Sequence, residues 1–253
     1  MTKDSQQPSP LNQRYIEAMN QVFDHVRTTQ MGAINEAASK LADVIANGGL
    51  VHLYDSGHLV DSELINRAGG LLVFRRFRYN FSVENPVNPS RKVEHVKSEQ
   101  EEGIGSLVLR QSNIGVNDAV IIGSVSGKTA NIIDLALSVK KAGLPLIALT
   151  SLEYSSSNIS DHSSGKRLFE IADIVIDNCA PKGDALLEVE GVHNKMAPAS
   201  GLSAGYIMWM LNCTLVDELL ARDITPTVLA SVNGAGGWDN YRAQLQRFDE
   251  LGY

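Results

Sequence analysis

Apolar and polar positions recur along the chain with two periodicities, one typical of helices and one typical of strands. Over residues 11–46 the apolar residues recur at helical spacing in two sets, which predicts one long helix or a helical pair. The sets are Tyr15, Met19, Val22 and Val26, then Ile34, Ala38, Leu41 and Ile45. An Asn-Gly-Gly stop at residues 47–49 precedes an apolar run over residues 50–54, which predicts a first strand.

The same succession of strand and helix continues to residue 177. Further strands are predicted at residues 71–74, 119–124, 146–150 and 173–177, with helices near residues 59–68, 104–111, 129–142 and 166–172 and a long polar loop over residues 80–90. The run over residues 119–124 is almost wholly apolar, which indicates a central strand buried on both faces. Parallel strands joined by helices require right-handed crossovers. The sequence therefore predicts an α/β fold with a doubly wound, flavodoxin-like, five-stranded parallel sheet flanked by helices.

The last third of the chain has a different pattern. A helix over residues 200–221 is apolar around much of its circumference, so it must be covered on most sides. A central helix of the monomer core and a subunit interface both fit this pattern. Trp238 and the glycine-rich residues 233–237 are expected in a loop before a last short helix. We expect a disordered tail over residues 1–10 and one domain over residues 11–253, with the sheet at about 50–180 and a helical part at about 198–253.

Composition narrows the class of protein. The 253 residues are 43% hydrophobic, enough for a sizeable core, and the formal net charge of −7 gives no footprint for binding nucleic acid or an anionic membrane. No apolar run approaches the ~20 residues that span a bilayer. The two cysteines lack CxxC spacing, so a reducing compartment fits best. These features together predict a cytoplasmic protein.

The segment SVSGKT, residues 124–129, follows the predicted central strand directly. Ser124, Ser126 and Thr129 supply hydroxyls, Gly127 lets the backbone approach a ligand closely, and the next helix begins with free N–H groups. These are the parts of an anion site. The alternative is that Ser126 or Thr129 merely caps the helix. Three hydroxyls and a glycine after a central strand favour the anion site.

Two nucleotide-binding motifs resemble this segment less well. A nucleoside triphosphate P-loop has four residues between its two glycines, whereas Gly123 and Gly127 enclose three. A dinucleotide fold would place GxGxxG after the first strand, where this chain has DSGHL. Both nucleotide-binding interpretations therefore rank below a smaller phosphorylated ligand.

The pattern Ser-x-Ser-Gly-x-Thr after a strand resembles the SIS (sugar isomerase) family of phosphosugar-binding proteins. The resemblance covers residues 11 to about 240, and residues 57–71, 150–157 and 162–188 are similar to an uncharacterised bacterial branch described as phosphoheptose-isomerase-like. It implies that Ser124, Ser126, Gly127, Lys128 and Thr129 hold the sugar phosphate. Two departures from related enzymes are Asp55-Ser56 in place of a glycine-rich loop and Asn131 in place of Glu.

Other polar residues are expected near this loop. If the first and central strands are neighbours, Ser56, Gly57 and His58 face it across the carboxyl edge of the sheet. His58 by itself is more often a residue at a helix start or on the surface. The segment DHSSGKR beyond the fourth strand contains His162 and Ser163, which could add hydrogen-bond donors to the same site or cap a turn.

Aldose–ketose isomerisation requires a base beside the carbonyl carbon and a group that moves a proton between two oxygens. Glu63 is the first candidate base, because its ELxxR stretch resembles the one that holds the catalytic Glu of phosphoheptose isomerases. Glu63 and Arg67 could instead form a surface ion pair. Glu102 is the next carboxylate, although an acidic residue at a helix start is commonly stabilising. The resemblance implies that His193 could reach a neighbouring subunit's site.

The function predicted from the sequence is thus a phosphosugar-binding protein, most simply a sugar-phosphate isomerase. The alternatives are a non-catalytic phosphosugar sensor and a phosphosugar lyase or etherase. No cofactor is expected, and the histidines show no HxxxH pair for a dedicated metal site, although some phosphoheptose isomerases use zinc. The resemblance also implies a homodimer or homotetramer with shared active sites.

Overall fold

The structure, a computed structural model, describes residues 9–57, 61–82, 84, 86, 90, 92 and 102–253. Most of the expected tail over residues 1–10 lies outside these ranges, and so does His58. No helix in the described chain is long and apolar enough to cross a membrane.

Five parallel strands form the central sheet, as the sequence predicts. The strands are β1 (Val51–Asp55), β2 (Phe74–Arg76), β3 (Ala119–Gly123), β4 (Leu146–Thr150) and β5 (Ile174–Asp177). Their order is β2-β1-β3-β4-β5, the flavodoxin-like order, and every pairing is parallel. All five residues of β3 are buried. The prediction that β3 is the central strand is therefore confirmed.

Helices cover both faces of this sheet. They are α1 (Leu11–Thr29), α2 (Met31–Ala46), α3 (Asp61–Leu64), α4 (Ile104–Gln111), α5 (Ala130–Lys141), α6 (Leu152–Ser156), α7 (Ser200–Leu220) and α8 (Gly237–Leu251). The apolar sides of α2 and α7 form the core on one face, and those of α4 and α5 form it on the other. The N-terminal region is a helical pair, because α1 ends at Thr29 and α2 begins at Met31.

Helix α7 lies in the core of the chain. It packs along α2, and its residues Ile207, Met208, Leu211 and Leu215 are fully buried. The apolar surface of α7 is therefore buried largely within one chain. Leu202, near the start of α7, is 54% exposed, so a role of this end in subunit contacts stays a prediction.

Two predicted elements are wrong in their bounds on the β2 side of the sheet. Within the described part of the segment expected to be helical near residues 59–68, the helix spans Asp61–Leu64 and residues 65–68 are not helical. The strand expected at residues 71–74 lies at Phe74–Arg76, while Leu71 forms an isolated antiparallel bridge with Val228. The apolar residues before β2 are buried as a turn against the core, so burial alone does not distinguish them from a strand.

Three further differences lie after β4. The helix expected at residues 166–172 is a single 3-10 turn, Leu168–Glu170, closed by hydrogen bonds between Arg167 and Glu170. Trp238 lies in the first turn of α8 and not in a loop. A two-stranded antiparallel sheet of β6 (Ala185–Leu187) and β7 (Met196–Pro198) was not predicted, because three-residue strands carry too little periodicity.

Candidate functional site

The principal cleft lies where the order of strands reverses, at the carboxyl ends of β1 and β3. β1 has β2 on one side and β3 on the other, so the connection that follows β1 and the connection that follows β3 run in opposite directions. They leave a crevice between them. The cleft has a volume of ≈ 550 Å³. It is lined by Ser56, Gly57, Ser124, Val125, Ser126, Thr129, Asn131, Tyr154 and Asp184.

The loop over residues 124–129 forms one wall and is held in shape by its own hydroxyl groups. Ser124 is buried, its N–H donates to the carbonyl of Leu149 at 3.0 Å, and its Oγ accepts the Gly127 N–H at 3.3 Å. The carbonyl of Val125 accepts the Thr150 hydroxyl at 3.1 Å. The loop is therefore anchored to β4 before any ligand binds.

Gly127 is required where this loop turns. Its φ is +54°, and a Cβ there would lie 2.9 Å from Ser155 Oγ and 3.1 Å from Thr150 Oγ1. Ser155 Oγ is itself buried without a hydrogen-bond partner in the described chain. The glycine thus allows the loop to lie directly against α6 and β4.

The opposite side of the loop presents hydrogen-bond donors to the cleft. Thr129 occupies the position before α5 but makes no side-chain cap, and neither its hydroxyl nor that of Ser126 is hydrogen-bonded to the residues the structure describes. The N–H groups of Ala130 and Asn131 begin α5 and likewise have no partner there. Since capping would consume the Thr129 hydroxyl, this geometry favours the anion site.

Lys128 lies on the far side of the loop. Its ammonium contacts both carboxylate oxygens of Asp161, at 3.0 and 2.9 Å, and its carbonyl accepts the Asp161 N–H at 2.9 Å. The side chain does not line the cleft. A phosphate contact by this side chain stays a prediction. The ion pair between Lys128 and Asp161 stabilises the loop on the side away from the cleft.

Ser56 and Gly57 face the loop from the end of β1, where the adjacency of β1 and β3 predicts them. The Ser56 N–H and hydroxyl both contact the Gly123 carbonyl, at 3.1 and 3.3 Å. The Gly57 N–H donates to Asp55 Oδ1 at 2.9 Å. His58 follows directly but lies outside the described residues.

Comparison with known proteins identifies the family of this chain. The family model described as "SIS domain" matches residues 14–151, which is more than half of the chain. The chain belongs to the SIS domain family. This confirms the resemblance stated from the sequence.

Relatives match over almost the whole chain. A UPF0309 protein of Oceanobacillus iheyensis is 32% identical over 234 residues, covering 92% of each chain. A UPF0309 protein of Caldanaerobacter subterraneus is 32% identical over 245 residues, covering 92% of this chain and 96% of the relative. A solved phosphoheptose isomerase of Neisseria gonorrhoeae superimposes with a TM-score of 0.49 and 12% identity, covering 83% of this chain and 99% of that one.

Glu63, the candidate base, lies on α3 of this SIS domain, beside α7. Its Oε2 is 2.5 Å from Nη1 of Arg67, and that oxygen is buried without a hydrogen bond of good geometry in the described chain. Its Cγ faces Gly205, at 3.8 Å from where a Cβ would stand. Glu63 does not line the cleft, so its catalytic role stays a prediction and the ion pair with Arg67 is present.

Glu102 and Ser163 form a pair of their own. The Ser163 hydroxyl and N–H donate to the two carboxylate oxygens of Glu102 at 2.6 and 2.7 Å, and Nε2 of His162 lies 3.6 Å from the same group. The hydrogen bonds from Ser163 lower the pKa of Glu102, which weakens it as a base. Neither Glu102 nor Ser163 lines the cleft, so their roles in catalysis and sugar binding stay predictions.

His193 is exposed between β6 and β7 and lines a separate depression of ≈ 510 Å³ with Glu188 and Lys195. Its use by a neighbouring subunit stays a prediction. Among the described residues no cluster of three or more His, Cys, Asp or Glu side chains could hold a metal ion.

Sequence reasoning missed two residues of the cleft. Tyr154 comes from α6, four residues beyond the end of β4. Asp184 follows Gly183 beyond β5, at a φ of +67°, and accepts the N–H groups of Ala199 and Ser200 at 3.1 and 2.7 Å. The Gly-Asp pair was a turn signal, but its proximity to the loop over residues 124–129 depends on tertiary packing.

Proposed function

We propose that this protein binds a small phosphorylated sugar with the phosphate on the loop over residues 124–129 and the sugar in the cleft. The observation that carries the proposal is the set of donors without partners in the described chain: the hydroxyls of Ser126 and Thr129 and the N–H groups at the start of α5. A helix N-terminus with convergent donors suits a phosphate.

We further propose that the bound sugar undergoes aldose–ketose isomerisation. The open cleft holds polar groups suited to sugar hydroxyls, including Tyr154 and the Asp184 carboxylate. Glu63 remains the proposed base because its ELxxR stretch resembles the one that holds the catalytic Glu of phosphoheptose isomerases, and the Arg67 guanidinium beside its Oε2 favours the ionised carboxylate that a base requires. The base removes a proton from the carbon beside the carbonyl while the carbonyl oxygen gains a proton, which yields an enediol. The neighbouring hydroxyl then loses its proton to become the new carbonyl as the base returns a proton to the former carbonyl carbon.

A non-catalytic sensor is the second candidate, and one observation favours it. In the part of the cleft that the structure describes, the one lining carboxylate is Asp184, which already accepts three hydrogen bonds at the start of α7. A sensor needs the phosphate loop but no base.

Calorimetric titration tests the binding proposal. A panel of sugar phosphates is titrated into the wild type, Ser126→Ala, Thr129→Val and a control, Ser156→Ala, whose exposed hydroxyl donates to the Glu153 carbonyl. Each loop variant is expected to weaken the best ligand about tenfold or more, because a hydrogen bond to a charged group is lost. The proposal is contradicted if no phosphorylated sugar binds, or if the control loses as much affinity as the loop variants.

Turnover distinguishes the candidate functions once a ligand is known. The bound sugar phosphate is incubated in D₂O with the wild type and with Glu63→Gln, and the products are followed by NMR and mass. An isomerase incorporates deuterium without changing the carbon skeleton, and Glu63→Gln is expected to lower this rate at least 100-fold with affinity retained. A sensor shows no exchange, and a lyase or etherase releases a fragment.

A further inference from the structure

A second cavity lies on the other side of α6 from the cleft, and we call it the α1 cavity. It has a volume of ≈ 480 Å³ and is lined by α1 residues between 18 and 25, by Glu153, by residues between 177 and 186, and by Lys195. Glu153 and Ala185 line it, whereas their chain neighbours Tyr154 and Asp184 line the cleft. The two cavities therefore lie on opposite sides of the same two segments and share no lining residue.

One wall of the α1 cavity is apolar and well packed. Val22 and Ala180 are buried in a small hydrophobic cluster, and Leu186 packs against the same cluster. Cavities that bind small molecules combine such apolar walls with a few polar groups fixed in position. The wall is suited to the hydrocarbon part of a ligand.

Two carboxylates supply the polar groups, and the backbone holds both in position. Oδ1 of Asp177, at the end of β5, accepts the N–H groups of Leu152 and Cys179 at 3.0 and 2.9 Å. Oε1 of Glu153 accepts the Lys182 N–H at 3.0 Å. Within the residues that the structure describes, neither carboxylate forms an ion pair and the second oxygen of each accepts no hydrogen bond. One oxygen of each carboxylate is therefore available to a ligand.

The charges around the α1 cavity sum to a negative value. The Lys195 ammonium lies 2.9 Å from Oε1 of Glu188, which does not line the cavity. The hydrogen bond from Lys195 lowers the pKa of Glu188, so the charge of Lys195 is balanced by that carboxylate. His25 is an exposed lining residue. Even with a protonated His25, the carboxylates of Asp177, Glu153 and Glu188 outnumber the two cations.

Cys179 contributes a neutral thiol to the α1 cavity. Burial and the negative charge of Asp177 raise the pKa of this thiol to about 12, and its sulfur donates to the Asp177 carbonyl at 3.5 Å. A protonated thiol is a poor nucleophile and a poor metal ligand. The chemistry of the cavity is therefore that of noncovalent binding.

The class of ligand follows from these charges. A phosphate or a carboxylate would be repelled by Asp177 and Glu153, whereas a primary ammonium can donate three hydrogen bonds and carries the opposite charge. We propose that the α1 cavity binds a small organic ammonium ligand, with its ammonium on Asp177 and Glu153 and its hydrocarbon part on the apolar wall. The inference is independent of the proposed function, because the cavity shares no residue with the cleft.

Amide NMR titrations of the isotope-labelled full chain test this site with three probes of similar length and different charge. The probes are propylammonium, 1-propanol and propionate, added at matched ionic strength. Propylammonium is expected to shift the N–H signals of Leu152 and Cys179 in a saturable way, since both groups donate to Asp177. The neutral and anionic probes are expected to bind at least tenfold more weakly.

Three variants show whether the carboxylates hold the ammonium. Asp177→Asn and Glu153→Gln remove the charge and keep a side-chain oxygen that can accept the same N–H groups, and each is expected to weaken propylammonium about tenfold or more. The control is Glu36→Gln, which removes the same charge from an exposed residue of α2 that lines neither cavity. It is expected to bind propylammonium like the wild type.

Thermal unfolding of each variant shows whether it is folded, and Glu153→Gln, at an exposed position, keeps the test valid if Asp177→Asn does not fold. Equal affinity for the three probes overturns the inference, as do shifts that do not saturate. Unchanged affinity for propylammonium in Glu153→Gln also overturns it. Titration of a sugar phosphate into the same samples reports on the cleft, so failure of this inference is distinguishable from failure of the proposed function.

Discussion

Gly127 shows how much of the candidate site depends on single positions. Its left-handed φ of +54° turns the loop, and its missing Cβ leaves room for Ser155 and Thr150 behind it. A side chain here would require both a strained backbone and a displaced neighbour.

We expect Gly127→Ala to lower the free energy of unfolding by about 2–4 kcal/mol, since strain and a close contact add. The matched control is Gly143→Ala, whose φ is +78° but whose Cβ would meet nothing within 4 Å. That variant is expected to lose only about 1 kcal/mol, from backbone strain alone. Urea unfolding measures the free energy of unfolding of both variants. Equal losses of stability in the two would show that contact with Ser155 contributes nothing.

At the scale of residues, the sequence predicted the positions in the cleft that follow from local geometry and missed those that depend on distant segments. The hydroxyls of Ser126 and Thr129 were predictable, because a strand-loop-helix places them at a helix start. The direction of Lys128 was not, because its partner Asp161 lies 33 residues away in sequence. Asp184 was missed for the same reason.

At the scale of elements, predictions were accurate for strands buried on both faces and poor for short segments. β3 and β4 consist entirely of buried residues, and their apolar runs were located to within one residue. β2 has three residues at the edge of the sheet, so its apolar signal merged with the buried turn before it. The 3-10 turn Leu168–Glu170 is closed by hydrogen bonds between Arg167 and Glu170, and a pattern of apolar residues does not predict it.

The pair of Arg167 and Glu170 gives a prediction for the pH dependence of stability. Hydrogen bonds from the Arg167 side chain and N–H lower the pKa of Glu170 from 4.5 to about 2. Because the pKa is lower in the folded state, the pair stabilises fully above pH 4.5, and the stabilisation is lost as the pH falls through about 2. Glu170→Gln is therefore expected to be less stable than the wild type at pH 7 and equally stable below pH 2.

Urea unfolding from pH 7 downwards measures this difference. Glu17→Gln is the control, since Glu17 is exposed on α1 and makes no ion pair within the described ranges. A constant gap between wild type and Glu170→Gln across the whole pH range would contradict the assigned cause.

At the scale of the whole molecule, the doubly wound order of strands determines where a ligand can bind. The crevice between the connections after β1 and β3 brings together segments from residues 56, 124–131, 154 and 184. The alternation of strands and helices was enough to predict this architecture and the loop at its switch point. The sequence did not predict which carboxylates face the crevice, because that depends on how α3, α6 and the β6–β7 sheet pack around it.

The central claim is that a sugar phosphate is held by the loop over residues 124–129. Amide NMR spectra of the isotope-labelled protein test it most directly, with a sugar phosphate added in one titration and the same unphosphorylated sugar in another. We expect the phosphorylated ligand to shift the N–H signals of Ser126, Thr129, Ala130 and Asn131 most strongly, and the unphosphorylated sugar to leave them nearly unchanged. Dominant shifts elsewhere, or equal shifts with both sugars, would contradict the account.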